Sequence, residues 1–324
     1  MKLGLVCISE LLRDKHKNNS FCTMTRKRFN DLPRQEAINQ LDRRIAFNAS
    51  FLWDVIDHCA AHGIKHYRVS SNLAPLITDP TLDLSLDDLP QIETIKKHLR
   101  IAGDYARKVG VTLSSHPDQF NVLPSLNPDT IERTIRELNH QAHMLDLMGC
   151  PQDYSAPMCL HLGLSPKPNE NIEDYISRFY SAFDRCDAGV RNRLVLENED
   201  KGYWNCKKLF DIFGGDFPLV FDNLHHACNN PYNLSTEQCI EAFSKTWGAS
   251  TPVFHWSEGV NGTRKHTDYF SHVPQFVYDN PNIIFECEVK AKDKAICNVL
   301  MSEPKNHLTF LSTKNILRSW MTKD

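Results

Sequence analysis

Long apolar runs are missing from this sequence of 324 residues. No stretch approaches the roughly 18 consecutive apolar residues that a membrane-spanning helix needs, so we expect no membrane span. Residues 1–8 also lack the cleavage region of a secretory signal peptide. We therefore expect neither a membrane protein nor a secreted one, and the predicted location is the cytoplasm.

Closely spaced cysteine pairs are missing as well. The eleven cysteines are an odd number, and none of them forms a Cys-x-x-Cys motif. This pattern argues against a disulfide framework and against a zinc ribbon. It is typical of a protein in a reducing compartment, whose buried thiols mostly fill space as small apolar groups.

The chain has little excess charge of either sign. Its 37 basic and 40 acidic residues leave a net charge of −3, which excludes a general electrostatic attraction to polyanions. Glycine-rich phosphate loops are absent too, because neither Gly-x-Gly-x-x-Gly nor Gly-x-x-x-x-Gly-Lys follows any apolar run. An open, doubly wound sheet is therefore only the alternative fold.

Short apolar runs alternate with segments of helical periodicity. In segments such as 92–109 and 131–148, apolar residues recur at intervals of three and four, which is typical of helices. Eight strands alternating with helices predict a single (β/α)8 barrel over residues 1–324, with a helical extension at about 303–321. The predicted strands are 2–8, 64–70, 111–116, 158–163, 194–199, 219–223, 252–257 and 283–289.

Metal-binding side chains stand at the ends of six consecutive predicted strands. The carboxyl ends of barrel strands converge in one mouth. So many carboxylates and imidazoles would repel one another there, or lack partners, unless cations neutralised them. The residues concerned are His116, His161, Glu197, Glu199, Asp222, His225, His226, His255, Glu286 and Glu288.

This set of ligands predicts more than one divalent ion. Imidazole and carboxylate ligands suit Zn²⁺, Mn²⁺ or Fe²⁺, and a single tetrahedral ion cannot use so many. Two or three ions roughly 4 Å apart suit displacement at phosphorus, in which metal-bound hydroxide attacks a phosphate. Phosphodiester hydrolysis is therefore the predicted reaction.

A basic segment follows the first predicted strand. Segment 13–28 contains Arg13, Lys15, Lys17, Arg26, Lys27 and Arg28 against a single acidic residue, Asp14. Four further basic residues, which should come close to it after barrel closure, are Arg264, Lys265, Lys290 and Lys292. These groups either form a solvated surface or provide a local patch for phosphates, with salt-dependent binding.

The motifs at these strand ends resemble those of the ultraviolet-damage endonuclease family, metal-dependent (β/α)8 DNA-repair enzymes related in fold to endonuclease IV. The resemblance spans about residues 1–297. Each motif alone is weak, but their order along successive strands is specific. The motifs are YRVSS at 67–71, HPDQF at 116–120, LHLG at 160–163, LENED at 196–200, DNLHH at 222–226, HWS at 255–257, HTDY at 266–269 and EVKAKD at 288–293.

The resemblance implies a three-metal site, commonly of manganese, with Zn²⁺ or Mg²⁺ as alternatives. It implies a nick immediately 5′ to a lesion, such as an ultraviolet photoproduct or an abasic site, that leaves a 3′-hydroxyl and a 5′-phosphate. The implied ligands are His116, His161, Glu197, Asp222, His225, His255, His266 and Glu288, of which Glu197, His255 and Glu288 are the predicted catalytic residues.

The resemblance also implies how DNA is held. Gln119 and Phe120 match the pair that the family inserts into the duplex. The charge pattern, independently of the resemblance, predicts phosphate contacts at Arg68, Arg26, Lys27, Arg28, Arg264 and Lys290. Arg68 has an alternative role, which is to pair with a glutamate at the barrel end. The expected partner is double-stranded DNA with a lesion, without an organic cofactor. We expect a monomer, associated with the nucleoid in a bacterial cell.

Three positions depart from the family pattern. Val253 stands where the family commonly has a lysine that is modified to a carbamate, and Leu5 and Phe120 replace tyrosines and lack the phenolic hydroxyl. Two other functions therefore stay open. One is a sugar isomerase or epimerase, which uses a similar barrel and one or two ions. The other is a barrel that binds damaged DNA without cleaving it.

Overall fold

The computed structural model describes residues 1–16 and 19–302. The predicted helical extension at 303–321 lies outside the described residues, as does Lys17 of the basic segment. No helix in the described ranges is both long enough and apolar enough to cross a bilayer.

Eight parallel strands lie within the eight predicted runs, so the predicted strands are confirmed. Each strand is shorter than its predicted run. The strands are β1 (Lys2–Val6), β2 (His66–Arg68), β3 (Thr112–Ser114), β4 (Met158–His161), β5 (Leu194–Glu197), β6 (Leu219–Val220), β7 (Val253–Ser257) and β8 (Ile284–Glu288).

The strands form a nearly closed barrel. One sheet has the order β3-β2-β1-β8-β7 and the other has the order β4-β5-β6. Single parallel bridges join them at both seams, between Ser115 and Met158 and between Asp222 and His255. The first strand pairs with the second and with the last, which is the closure that a (β/α)8 barrel requires. The predicted barrel is therefore confirmed, and the open sheet is excluded.

Helices fill the connections between strands and cover the outside of the barrel. The predicted helical segments 92–109 and 131–148 correspond to α4 (Ile92–Val109) and α5 (Pro128–Leu147). Asn127 caps α5 by accepting a hydrogen bond from the backbone N–H of Asp129 at 2.9 Å. The helices are α1 (Glu10–Lys15), α2 (Arg26–Asn30), α3 (Arg34–Ala61), α4 (Ile92–Val109), α5 (Pro128–Leu147), α6 (Ile172–Phe183), α7 (Ala188–Arg191), α8 (Cys206–Phe213), α9 (Asn223–Cys228), α10 (Thr236–Lys245), α11 (Gln275–Asp279) and α12 (Asp293–Ser302).

The barrel interior beneath the mouth is polar. His66 of β2 lies 2.9 Å from the Glu286 carboxylate of β8 and 2.9 Å from the Ser114 hydroxyl of β3. Gly4 of β1 makes room for this network, because a Cβ at that position would lie 3.0 Å from the His66 ring. The buried polar groups satisfy one another, as groups removed from water must.

Candidate metal centre

Glu197 is the centre of the mouth. It ends β5, it is 1% exposed, and imidazoles approach both of its carboxylate oxygens. Oε2 lies 3.0 Å from Nε2 of His116 and 3.3 Å from Nε2 of His161. Oε1 lies 3.0 Å from Nδ1 of His255 and 3.1 Å from Nδ1 of His225. The barrel thus brings five predicted ligands from separate strands and loops into contact.

Asp222 and Glu288 complete this cluster. Asp222 follows β6 and caps α9, because its Oδ1 accepts a hydrogen bond from the backbone N–H of His225 at 2.8 Å, while its Oδ2 accepts one from Ser257 at 2.8 Å. Among the described residues, three groups in the mouth have possible ligand atoms within 4.8 Å of one another. They are His116 with Cys159, Glu197 and His255; Glu197 with Asp222 and His225; and Asp222 with His255 and Glu288.

Arg68 holds the carboxylates of β8. Its Nη1 lies 3.0 Å from Oε2 of Glu286 and 2.6 Å from Oε1 of Glu288. The side chain is buried, at 8% exposed for the residue, so its contacts are with these two glutamates and not with solvent. Both glutamates face inward: Glu286 contacts His66 deep in the barrel, and Glu288 lies nearer the mouth, 3.7 Å from Nδ1 of His255.

The charges of this centre stabilise one another. Burial raises the pKa of Glu197, but the surrounding imidazoles outweigh burial and hold it well below its usual range. For Glu286 burial is likewise outweighed, by Arg68 and His255, so its pKa is also well below normal. Burial lowers the pKa of His116, so this imidazole is neutral near pH 7. For His161, His225 and His255 the neighbouring carboxylates outweigh burial and raise the pKa, well above the usual range for the last two. Divalent ions bind neutral imidazoles, so metal binding at these rings would release protons.

The hydrogen-bonding pattern of His116 fits a bound cation. Its Nδ1 lies 2.9 Å from the carbonyl oxygen of Pro117 and its Nε2 lies 3.0 Å from Glu197. Both neighbours are acceptors, yet a neutral imidazole carries only one proton. When Nδ1–H donates to Pro117, the Nε2 lone pair faces a carboxylate oxygen, and His116 and Glu197 are then residues that would hold a cation. A backbone carbonyl that orients the ring in this way is typical of histidines that bind metals.

His266 lies apart from the other predicted ligands. It belongs to the loop between β7 and β8, where its backbone forms an antiparallel bridge with Gly259. It is half-buried, and none of the potential ligand groups in the described part of the chain includes it. Its role as a ligand stays a prediction.

Gln119 and Phe120 project from the loop after β3. Phe120 is 77% exposed, the largest value among the exposed large hydrophobic residues. Its backbone N–H donates to Oδ1 of Asp118 at 2.9 Å, which fixes the turn that carries it. A cavity of about 660 Å³ opens beside this loop, with Phe120, Ser70 and Arg133 in its lining.

The predicted phosphate contacts occupy different environments. Arg26 lies 3.3 Å from Asp79, Arg264 lies 3.0 Å from Asp200, and Lys290 lies 3.1 Å from Asp268. Lys27 and Arg28 of α2 are exposed. Acidic neighbours therefore offset the charges of Arg26, Arg264 and Lys290. Lys27 and Arg28 are the two predicted phosphate contacts for which the structure shows no ion pair.

Comparison with known proteins gives the family. The model of the family described as UV-endonuclease UvdE matches residues 1–316. The chain belongs to the UvdE family. The predicted resemblance is confirmed, and with it the prediction of a DNA-repair endonuclease.

Relatives of this chain match nearly its whole length. A UV DNA damage endonuclease from Deinococcus radiodurans is 29% identical over 312 residues, which is 94% of this chain and 96% of the relative. One from Nostoc sp. is 27% identical over 306 residues and covers 92% of this chain and 89% of the relative. The crystal structure of SacUVDE has a TM-score of 0.75 and 25% identity, and the match covers 92% of this chain and 96% of that one.

Cys159 of the mouth was missing from the predicted site, and Glu286 was predicted as a strand-end group but not chosen as a ligand. Cys159 is 6% exposed and its Sγ lies 3.5 Å from Oε2 of Glu197. Glu286 contacts His255 as well as Arg68. Strand parity was the available signal, because Cys159 stands two residues before His161 and Glu286 two before Glu288, and such residues face the same side of a strand. Val253, two residues before His255, is buried and apolar.

Proposed function

We propose that this UvdE-family protein nicks double-stranded DNA on the 5′ side of a damaged base by metal-dependent phosphodiester hydrolysis. The products would carry a 3′-hydroxyl and a 5′-phosphate. The observation that supports this proposal best is the convergence of four imidazoles on both oxygens of Glu197. A buried carboxylate with a purely structural role does not need four imidazoles around its two oxygens.

The residues that would hold the metal ions are Glu197, Asp222, His116, His161, His225, His255 and Glu288, with His266 as a further candidate. Two or three divalent ions fit the overlapping groups of ligand atoms, and we propose Mn²⁺ first, with Zn²⁺ and Mg²⁺ as alternatives. When bound, such ions supply an activated water and neutralise the charge of a phosphate.

The protein's own groups hold these ligands in place. Asn198 donates to the backbone oxygen of Asp222 at 3.1 Å and accepts from its backbone N–H at 2.9 Å, which fixes Asp222 beside Glu197. Glu286 lies 3.3 Å from Nε2 of His255 and orients that ring, so that Nδ1 faces Glu197. Such outer contacts set the orientation of metal-binding side chains.

An exposed aromatic side chain at the mouth supports DNA containing a lesion as the substrate. Phe120 is 77% exposed, so its ring is accessible to a partner. Proteins that distort DNA insert such apolar side chains between base steps, and a damaged step requires the least unstacking energy. We propose that Phe120 and Gln119 enter the duplex at the lesion, and that Lys27 and Arg28 contact its phosphates.

The test is a nicking assay with end-labelled duplexes that carry one pyrimidine dimer, one abasic site or no lesion, in the presence of Mn²⁺, Mg²⁺ or Zn²⁺. We expect a cut 5′ to the lesion in wild-type protein and none in Glu197→Gln. The matched control is Glu241→Gln, because Glu241 is exposed and pairs only with Lys245 of its own helix. This control should cut like the wild type.

Val253 stands where the family commonly has a lysine, so the absence of a cut would be an informative result. Lesion-selective binding without any cut in all three metals would refute the endonuclease proposal and support a barrel that binds damage without cleaving it. Isomerisation of a free ketose without nicking would instead support the sugar isomerase.

A further inference from the structure

A second cluster of metal-binding side chains lies outside the mouth. Cys206 is the first residue of α8, His226 belongs to α9 and Cys239 belongs to α10. The three residues are 3%, 4% and 2% exposed, and their potential ligand atoms lie within 4.8 Å of one another. Three separate helices therefore direct two thiols and one imidazole to a common buried point.

The distances within this cluster match those of ligands on one ion. Nδ1 of His226 lies 3.4 Å from Sγ of Cys206 and 3.8 Å from Sγ of Cys239. Zn–S bonds of about 2.3 Å and Zn–N bonds of about 2.05 Å at a tetrahedral angle place the nitrogen and sulfur atoms about 3.6 Å apart. The two observed distances lie on either side of this value.

His226 is already oriented for such a role. Its Nε2 lies 3.0 Å from the carbonyl oxygen of Leu234, so Nε2 carries the proton and the Nδ1 lone pair faces the thiols. A hydrogen bond of this kind behind the ring is typical of histidines that bind metals.

The two faces of α9 separate this cluster from the mouth. His225 points toward Glu197, with its Nδ1 3.1 Å from that carboxylate, whereas the next residue, His226, points toward α8 and α10. An ion held by His226 would fix α9 to its two neighbours. The same helix begins at its cap Asp222, so the ion would also hold two ligands of the mouth in position.

We propose that Cys206, Cys239 and Nδ1 of His226 form a second metal site, structural in role and specific for a thiophilic ion such as Zn²⁺. Two sulfur ligands and one nitrogen ligand favour Zn²⁺ over the Mn²⁺ or Mg²⁺ that oxygen-rich sites accept. This site shares no residue with the mouth, so its metal content can be measured separately from the proposed nuclease activity.

The first test is cobalt substitution of protein purified under reducing conditions, because only a thiolate-bound Co²⁺ shows strong sulfur-to-metal charge-transfer absorption. We expect the band in wild-type protein and its loss in both Cys206→Ser and Cys239→Ser. Cys186→Ser is the matched control, since Cys186 is also a buried, free cysteine. Cys159→Ser and Glu197→Gln should keep the band, because they alter the mouth alone.

A second measurement does not depend on variants of the cluster that might unfold. X-ray absorption at the zinc edge of Cys159→Ser protein should show sulfur neighbours at about 2.3 Å. A shell of only nitrogen and oxygen would overturn the proposal. So would a Cys206–Cys239 disulfide in protein isolated from reducing cytosol, or an equal zinc content in the wild type and the Cys206→Ser/Cys239→Ser double variant.

Discussion

Glu286→Gln tests how the barrel interior supports the mouth. Oε1 of Glu286 accepts a hydrogen bond from Ser114 at 2.6 Å and lies 2.9 Å from His66, while Oε2 lies 3.0 Å from Arg68 and 3.3 Å from His255. The glutamine amide oxygen can keep the first two contacts. Its NH₂ group then faces Arg68, which is itself a donor.

The expected loss in the free energy of unfolding follows from the burial of Glu286 and Arg68. Glu286 is 1% exposed and Arg68 is 8% exposed, and removing one partner of a buried ion pair costs about 3–5 kcal/mol. Glu288 still contacts Arg68 at 2.6 Å, so we expect a loss near the lower end, about 3 kcal/mol in the free energy of unfolding. Loss of the contact that orients His255 should also weaken divalent metal binding by about 10–100-fold.

The assay is urea unfolding of metal-free protein, followed by calorimetric titration with Mn²⁺. Glu241→Gln again serves as the exposed control and should change stability by less than about 0.5 kcal/mol. If Glu286→Gln unfolds at the same urea concentration as the wild type and binds Mn²⁺ equally well, then Glu286 neither neutralises Arg68 nor orients His255, and the role assigned to it is wrong.

Three further predictions concern pH, DNA and metal. Burial raises the pKa of Asp293, but hydrogen bonds from His58 and Ser9 outweigh burial, so the pKa is lowered in the folded protein. Ionised Asp293 therefore adds to the free energy of unfolding above its unfolded pKa of about 3.9, and this contribution is lost as the pH falls below that value. Urea unfolding from pH 3 to 7 should show a shallower acid loss in Asp293→Asn than in the wild type, and identical slopes would contradict this. Phe120→Ala should reduce the preference for lesion-bearing over intact duplex, measured by competition binding, without changing Mn²⁺ affinity; an unchanged preference would remove Phe120 from recognition. Removing divalent ions with a chelator should lower the unfolding free energy by about 2.7 kcal/mol relative to protein at a metal concentration 100 times Kd, and equal thermal midpoints with and without chelator would argue against a metal-filled mouth.

The sequence alone predicted the barrel and most of the side chains that meet in its mouth. Apolar runs of strand length alternate with helical periodicity, and residues directly after the runs, such as His116 and Asp222, lie at the carboxyl ends of strands. A closed parallel barrel brings those ends together whatever the details of packing. The convergence of these residues in one mouth could therefore be predicted without coordinates, whereas the central place of Glu197 was implied only by the family resemblance.

Only the tertiary structure decided how deep each side chain lies in the barrel and which groups it contacts. Strand parity places Glu286 and Glu288 on the same side, but only the register between β8 and its neighbours puts Glu286 beside His66 and leaves Glu288 near the mouth. No short motif in the sequence indicated the cluster of Cys206, His226 and Cys239, because Cys239 lies 33 positions after Cys206. Sequence periodicity specifies which face of an element a residue occupies, whereas the packing of α8, α9 and α10 decides which faces meet.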